Sequence, residues 1–286
     1  MNFAIDLRYA IADQASDFIF NIHAAQTNQQ RLVEERLDIV PFAAAEICPA
    51  TAEGSRYMRL RAEPGSLVIR YAATVDIEHQ IESPATIEET PIALLPPAVF
   101  TYVYPSRYCQ SDRLRRFAAR EFGNLRQGYR RVQAIRDWVC QRTNFMTGSS
   151  NVSTSAVDTL VEQVGVCRDF AHLMIALCRA VNIPARFISG IDYGAAAALG
   201  PPDFHAYVEV FLGARWYLFD PTGISPPMGL VRIGTGRDAS DVSFATIFGS
   251  VTSQTPVIQI EAVDDPANGF LRPWDSADAV STMAAV

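Results

Sequence analysis

The spacing of apolar residues changes once along the chain, from strict alternation to a helical period. Between about residues 3 and 80, apolar and polar residues alternate, as in strands buried on one face. Turn residues such as Pro64-Gly65 separate these segments, which are FAIDLRYAIA, DFIFNIHAA, RLVEERLDIV, RYMRLRAEPG and SLVIRYAATVDI. From about Ser111 the period is helical. The sequence therefore predicts an α+β protein whose N-terminal part is a β-sandwich or a small barrel.

In the second part of the chain, predicted helices come first and predicted strands follow. SDRLRRFAAREF predicts a helix with Ser111 or Asp112 as its N-cap, and RRVQAIRDWVCQRT predicts a second. STSAVDTLVEQ opens with Ser155-x-x-Asp158, which is compatible with a capping box. Strands are predicted at PARFISGI, HAYVEVFL and RWYLFD, with a late strand at TPVIQIEAV. A proline-bearing passage predicts a junction between a β-rich domain at 1–95 and a second domain at 96–263, and the small, polar stretch at 264–286 is predicted to be a tail.

Composition limits the class of protein. The 286 residues are 49% hydrophobic and 19% charged, which argues against disorder and allows about two domains. A formal charge of −7 makes nucleic acid an improbable partner. No apolar run reaches the roughly 18 residues that span a bilayer, so we expect no membrane partner. The opening MNFAIDLRYA lacks signal-peptide features, and five cysteines suit a reducing compartment, so we expect a cytoplasmic protein.

One cysteine lies at the predicted start of a helix. In GVCRDFAHLMIALCRAVNIPARFISG, residues 165–190, Cys167 follows Gly165 and precedes an apolar helical stripe formed by Phe170, Leu173, Met174, Leu177 and Val181. A thiol there faces unpaired backbone N–H groups and the positive end of the helix dipole, which favour the nucleophilic thiolate. Alternatively, Cys167 is a small buried hydrophobic residue. Cys178, roughly 16 Å further along the same face, is interpreted as structural, as are Cys109 and Cys140.

A catalytic cysteine needs a base within hydrogen-bond reach. His172 lies on the same helix, about 140° around the axis from Cys167, and is interpreted as a packed or capping histidine. His23 and His79 belong to the β-rich N-terminal part. His205, at the start of the strand HAYVEVFL, therefore remains as the candidate base, although a partly solvated histidine at a strand end is the simpler interpretation.

A carboxylate close to this histidine is predicted by the following hairpin. If Gly213-Ala214 forms the two-residue turn, His205 lies diagonal to Asp220; if Leu212-Gly213 forms it, the two oppose each other directly. Either register places imidazole and carboxylate on one face, whereas a one-residue slip would separate them. By itself Asp220 is more simply a turn residue before Pro221. Its shared face with His205 favours the third member of a Cys–His–Asp set.

At these residues the chain resembles the transglutaminase-like superfamily, specifically the bacterial transglutaminase-like cysteine proteases. The N-terminal part also resembles the bacterial transglutaminase-type N-terminal domain, so the resemblance covers nearly the whole chain. The matching passages are TYVYPSRYCQSD, TGSSNVSTSAVDTL, GVCRDFAHLMIALCRAVNIPARFISG, DFHAYVEVFLGARWYLFDPTG and IGTGRDASDVSF.

The resemblance implies a papain-like core in which Cys167 is the nucleophile, His205 the general base and acid, and Asp220 the residue that orients the imidazole. It implies an acyl-enzyme formed from a peptide or protein amide and released to water, giving hydrolysis, or to an amine, giving transglutamination. A non-catalytic peptide-binding module remains the alternative from another class. The resemblance leaves the oligomeric state open.

Three further residues are candidate substrate contacts: Arg168, Tyr207 and Trp216. For Arg168 a structural role at the helix start is the simpler interpretation, and strand aromatics usually serve packing. No cofactor is expected. A calcium loop of the D-x-D-x-D-G type is absent from the sequence, and a metal site at Cys167 would lack a fourth ligand.

Overall fold

The computed structural model describes residues 1–196 and 202–283. Within these ranges there are four α-helices: α1 (Ser111–Phe122), α2 (Tyr129–Arg142), α3 (Ala156–Glu162) and α4 (Cys167–Ala180). The strands up to α1 are β1 (Asn2–Ile11), β2 (Ser16–Phe20), β3 (Gln30–Val40), β4 (Ala45–Ile47), β5 (Met58–Ala62), β6 (Gly65–Ile77) and β7 (Gln80–Glu82). The later strands are β8 (Asn144–Phe145), β9 (Val164–Gly165), β10 (Ala185–Asp192), β11 (Phe204–Leu212), β12 (Arg215–Phe219), β13 (Leu230–Gly236), β14 (Ala245–Phe248), β15 (Val251–Ser253), β16 (Val257–Glu261) and β17 (Ala279–Ser281).

The N-terminal part is a sandwich of two antiparallel sheets. One sheet has the order β15-β1-β6-β3, with β16 also paired to β1, and the other has the order β14-β2-β5-β4. The apolar positions of β1 and β6, such as Ile5 and Ile69, share one buried core with Phe18, Phe20 and Met58 of the second sheet. This common core explains the alternation in β1, β2, β5 and β6, since every second side chain of these strands faces the opposite sheet. The predicted α+β class with a β-rich N-terminal domain is confirmed.

Strands from late in the chain complete this sandwich. The predicted late strand is β16, and it pairs antiparallel with β1 so that Ile258 lies opposite Ile5 and is buried. β14 pairs with β2, and β15 pairs with the other end of β1. Within 264–286, β17 pairs with β7, and Ala279 and Val280 are buried. The division of the chain at 95 and 263 stays a prediction; the strand pairing joins its first and last parts in shared sheets.

The second part is built around α4 and an antiparallel sheet of order β12-β11-β10-β13. The sequence predicted one apolar stripe on this helix, but every residue from Asp169 to Ala180 is buried. The reason is that α4 packs on β10 and β11 and is also contacted by α1, α2 and α3. The sheet face towards this core carries the alternate residues of β11, which are Ala206, Val208, Val210 and Leu212.

The sequence did not predict β13, although it pairs along β10 with a register irregularity between Ser189 and Gly190. Its sequence, LVRIGTG, includes two glycines and an arginine, and all seven residues are buried. Arg232 is accommodated because its guanidinium bonds the carboxylate of Glu209 on β11. None of the helices in the described ranges is both long enough and apolar enough to cross a membrane.

Candidate active site

Cys167 is the first residue of α4 and is partly exposed, with a free thiol. The preceding residue, Val166, occupies the N-cap position but has no side-chain oxygen to accept a hydrogen bond. Asp169 makes the other bond of a capping box from inside the helix, because its Oδ2 accepts the Val166 N–H at 2.9 Å. Its negative charge in the first turn also matches the positive end of the helix dipole. The helix start that carries the thiol is therefore fixed by Asp169.

Gly165 is required at this point for space. It lies in β9, which pairs in parallel with β8, and a side-chain carbon at this position would lie 2.7 Å from Cβ of Asp169. The structure gives close approach to the capping residue as the physical reason.

His205 lies on β11, and the hairpin that follows has one of the two predicted registers. Leu212 pairs with Arg215 and Val208 with Phe219, so the turn is Gly213-Ala214. Both turn residues have positive φ, +52° and +69°, as expected for a two-residue turn between twisted strands. His205 is consequently diagonal to Asp220, which follows the end of β12.

The imidazole and the carboxylate are in contact. Nε2 of His205 donates to Oδ1 of Asp220 at 3.2 Å, and both side chains are buried. Asp220 accepts four further hydrogen bonds, which come from the Thr222 N–H at 2.9 Å, the Thr222 hydroxyl at 2.6 Å, the Ile224 N–H at 2.9 Å and the Ser225 N–H at 3.0 Å. Burial would raise the pKa of Asp220, but the charge of His205 and these hydrogen bonds hold it below its usual value. The carboxylate therefore stays ionised.

Cys167 lies close enough to His205 to affect its protonation. Burial alone lowers the pKa of the imidazole, but the charge of Asp220, its hydrogen bond and the adjacent Cys167 together raise the pKa well above its usual value. Because Nε2 is bonded to Asp220, Nδ1 is the ring nitrogen that remains for the thiol. The structure thus brings Cys167, His205 and Asp220 together from a helix start, a strand and a turn.

The other histidines are held in different surroundings. His172 is fully buried, accepts the Ala239 N–H through Nε2 at 3.1 Å and stacks on Tyr108, and burial lowers its pKa to about 3. This agrees with its interpretation as a packed, capping histidine. His23 is buried against Tyr71, and burial lowers its pKa to about 4. His79 bonds the carbonyl oxygen of Met228.

Two of the other three cysteines of the second part differ from Cys167 in burial, and the third differs in its contacts. Cys109 and Cys178 are fully buried in the core around α4, and burial raises the pKa of the Cys109 thiol to about 12 and that of Cys178 still higher. Cys140 is partly exposed, and its thiol donates to the carbonyl oxygen of Thr222. Burial raises its pKa as well. These environments favour the neutral thiol.

The three candidate substrate contacts are engaged within the protein. The Arg168 guanidinium bonds Asp169 and the carbonyl oxygen of Asn151. Tyr207 is fully buried and edge-on to His205, with its ring centre 4.8 Å away. Trp216 lies in a separate apolar cluster, with the guanidinium of Arg186 3.9 Å above its ring. Their contact with substrate stays a prediction.

Residues that the sequence analysis did not single out hold the carboxylate in place. Thr222 and Ser225 orient Asp220, and the hydroxyl of Ser225 also bonds that of Tyr207 at 2.6 Å. The segment DPTGIS carried a usable signal, since an aspartate in a turn commonly accepts hydrogen bonds from the following residues. Within residues 1–196 and 202–283, no cluster of three or more histidine, cysteine, aspartate or glutamate side chains is placed to hold a metal ion.

Comparison with known proteins assigns the class. The model of the transglutaminase-like superfamily matches residues 115–221, the range that contains α4 and the hairpin of His205 and Asp220. The model of the bacterial transglutaminase N-terminal domain matches residues 1–98. The chain belongs to the transglutaminase-like superfamily.

Individual relatives extend this assignment over the whole chain. The crystal structure of a "putative cysteine protease" from Cytophaga hutchinsonii superimposes with a TM-score of 0.88 at 39% identity and covers 98% of this chain and 96% of that chain. An uncharacterized protein of Mycobacterium leprae is 31% identical over 39% of this chain and 42% of its own length. One of Mycobacterium bovis is 26% identical over 56% of this chain and 54% of its own length. The chain thus spans about half the length of these mycobacterial relatives.

Proposed function

We propose that the protein is a cysteine-dependent amide hydrolase or peptidase that works through Cys167, His205 and Asp220. The single observation that carries the proposal is the position of His205, whose imidazole is bonded to a buried, ionised Asp220 and lies beside the thiol of Cys167. A nucleophile, a base and a residue that orients the base are the parts required for covalent acyl transfer.

In the first half-reaction the thiolate of Cys167 attacks the carbonyl carbon of a peptide amide, and the carbonyl π electrons move to oxygen. Backbone N–H groups at the start of α4 are suited to stabilise this oxyanion. The C–N bond then breaks, and the imidazolium of His205 gives its proton to the leaving amine. The product is a thioester on Cys167 and a free amine.

In the second half-reaction His205 removes a proton from water as the water oxygen attacks the thioester carbonyl. The C–S bond breaks, the carboxylic acid leaves, and the thiolate and imidazolium are restored. Asp220 fixes the imidazole ring and favours its protonated form throughout, without itself taking a proton. The resemblance of the chain to the Cytophaga hutchinsonii relative supports a protein or peptide substrate.

Alkylation and peptide turnover test this proposal together. Near neutral pH, iodoacetamide should modify Cys167 faster than Cys140, the other partly exposed thiol near the site, and modification should abolish cleavage of peptides from a mixed library. The Cys167→Ala variant should be inactive, while Cys140→Ala should keep its activity. A Cys167 thiol that resists iodoacetamide in the folded protein, or full activity in Cys167→Ala, would rule out the proposed mechanism.

The same assay identifies the acyl acceptor. With a labelled primary amine present, hydrolysis yields the free acid and ammonia or peptide amine, whereas amine transfer incorporates the label into glutamine-containing peptides. Incorporation in preference to hydrolysis would identify the protein as a transglutaminase that uses the same three residues.

A further inference from the structure

We infer that Asp192 and Asp203 form a subsite beside His205 for a cationic side chain of the peptide substrate. This inference rests on the proposed function and adds the class of substrate that the site selects.

The strand register places both carboxylates next to the candidate base. On β10 and β11, Gly190 pairs with His205 and Ile191 with Phe204, so Asp192 and Asp203 are the positions that follow at the end of this ladder. Since side chains alternate between the two faces of a sheet, Asp203 and His205 share one face, and Asp192 shares it from the neighbouring strand. Residues directly opposite on paired strands have Cβ atoms about 5 Å apart.

Asp192 is buried, and His205 is the charged group that partly compensates it. Its relative exposure is 7%, and within the described part of the chain its carboxylate has no hydrogen bond or ion pair to another residue; it bonds its own backbone N–H. A buried carboxylate without a partner loses much of its solvation, so such a residue is unfavourable unless a ligand compensates it. Burial raises the pKa of Asp192, and so do the charges of Asp220 and Asp203, whereas His205 lowers it.

Asp203 adds a second negative charge at the same point. It is exposed, and its Oδ1 accepts the N–H of Phe204 at 2.7 Å. Like charges opposite each other on adjacent strands destabilise a sheet. Arg168, the arginine next to Cys167, is already paired with Asp169. The imidazole of His205 is already paired with Asp220. The carboxylates of Asp192 and Asp203 therefore remain to attract a cation from the substrate.

The group that fits two adjacent carboxylates beside a nucleophile is an ammonium or a guanidinium. Lysine and arginine side chains both supply this chemistry. The subsite would select peptides with a basic residue next to the scissile amide. All 24 lysine-plus-arginine positions of this chain are arginine. A peptide that contains lysine therefore differs from every segment of the protein itself and can serve as a probe.

Charge-matched alkylation tests the subsite without requiring a good substrate. The rate of Cys167 modification is measured with 2-bromoethylammonium, which is cationic, and with iodoacetamide, which is neutral, each divided by the rate with N-acetylcysteine under the same conditions. The wild-type protein should prefer the cationic reagent. Asp192→Asn should reduce that preference about tenfold, in the range expected for local electrostatic attraction. Asp203→Asn should reduce it less, and the exposed control Asp275→Asn should leave it unchanged.

The outcomes separate the two proposals. If Cys167 reacts readily with iodoacetamide but wild type and Asp192→Asn have the same ratio of rates, the subsite is ruled out and the proposed function stands. If Cys167 resists both reagents, the proposed function fails and the subsite fails with it. Should Asp192→Asn lose its folded circular-dichroism signal, the surface substitution Asp203→Asn decides, and an unchanged ratio in that variant counts against the subsite.

A second measurement uses peptides directly. Matched peptides that carry lysine or norleucine beside the scissile amide should differ in kcat/KM for the wild-type protein, with lysine preferred. The preference should disappear in the Asp192→Asn Asp203→Asn double variant while cleavage of the norleucine peptide persists. Equal kcat/KM for the two peptides with wild type, at every position flanking the scissile amide, would overturn the inference.

Discussion

Nε2 of His205 lies 3.2 Å from Oδ1 of Asp220, and this choice of ring nitrogen leaves Nδ1 for Cys167. The arrangement depends on the hairpin register, because the turn at Gly213-Ala214 sets His205 diagonal to Asp220 on one face of the sheet. The DPTGIS turn then fixes the carboxylate through hydrogen bonds from Thr222 and Ser225. The imidazole is thereby held in one orientation before any substrate binds.

The pH dependence of activity should change when Asp220 is neutralised. In the wild-type protein the pKa of His205 is raised well above its usual value, so the imidazolium persists, and kcat/KM should fall only as the pH rises through that raised pKa. In Asp220→Asn the negative charge that raises the pKa of His205 is gone, whereas burial, which lowers this pKa, remains. The alkaline limb of the kcat/KM profile should move to lower pH, with activity at its optimum reduced by roughly 10²- to 10⁴-fold.

The raised pKa of His205 also makes the stability of the folded protein depend on pH. Because the folded-state pKa of His205 is raised, its pairing with Asp220 stabilises the folded protein fully below the unfolded-state pKa, and this contribution is lost as the pH rises through the raised value. The difference in unfolding free energy between wild type and Asp220→Asn should therefore shrink at alkaline pH. Thermal denaturation across that range measures it, and an unchanged alkaline limb and stability difference would contradict this prediction.

The helix cap should link stability to the reactivity of Cys167. Asp169→Ala removes the acceptor of the Val166 N–H and should cost about 1 kcal/mol of unfolding free energy. It should also slow alkylation of Cys167 severalfold, since the start of α4 loses its anchor. Asp158→Ala is the matched control, because Asp158 accepts the Ser155 N–H at the start of α3 in the same way. It should show a similar loss of stability with the alkylation rate of Cys167 unchanged.

Crowding at Gly165 should have a related effect. In Gly165→Ala the new methyl group would lie 2.7 Å from Cβ of Asp169, and overpacking of this kind costs about 1–3 kcal/mol. The variant should melt at a lower temperature and alkylate at Cys167 more slowly. Gly269 is the control, because its backbone φ is +84° but the space around an added carbon is open. Gly269→Ala should therefore have a strained backbone at that position and an unchanged rate of Cys167 alkylation. Equal alkylation rates in wild type and Gly165→Ala would contradict the assigned role of this glycine.

The buried ion network around Glu209 should contribute more to the free energy of unfolding than an exposed ion pair does. The carboxylate of Glu209 is fully buried, and it bonds Nε of Arg186 at 2.7 Å and the guanidinium of Arg232. Glu209→Gln leaves two buried guanidinium groups without a counter-charge and should cost about 3–5 kcal/mol. The exposed pair of Arg59 and Glu46 is the control, and Glu46→Gln should cost about 0–1 kcal/mol. Urea denaturation measures both, and similar losses in the two variants would show that burial does not decide the effect.

Local pattern determined much of the fold. The alternation of apolar residues predicted β1, β2, β3, β5 and β6, and the helical period predicted α1, α2 and α4 with Cys167 in the first turn. Most of these elements were predictable because one face of each packs on a core, so that apolar residues repeat with the period of the backbone; α4 is buried on all sides but keeps its apolar stripe. Short or unusual strands were not predictable. β13 carries glycines and a buried arginine, so its own sequence does not show the pattern of a strand. Its place in the sheet is set by packing against other strands.

The sequence by itself supplied the three side chains of the candidate site and limited the hairpin to two registers. Only the tertiary structure determines which of these registers forms and places Cys167 next to His205. The start of α4 and the start of β11 meet because residues far apart in the chain pack together. The same is true of the proximity of Asp192 to His205, whereas the Asp169 cap and the hydrogen bonds of Thr222 to Asp220 are local contacts between residues two or three positions apart. Backbone periodicity is a local property that the sequence displays, whereas contact between distant segments depends on how the whole core closes.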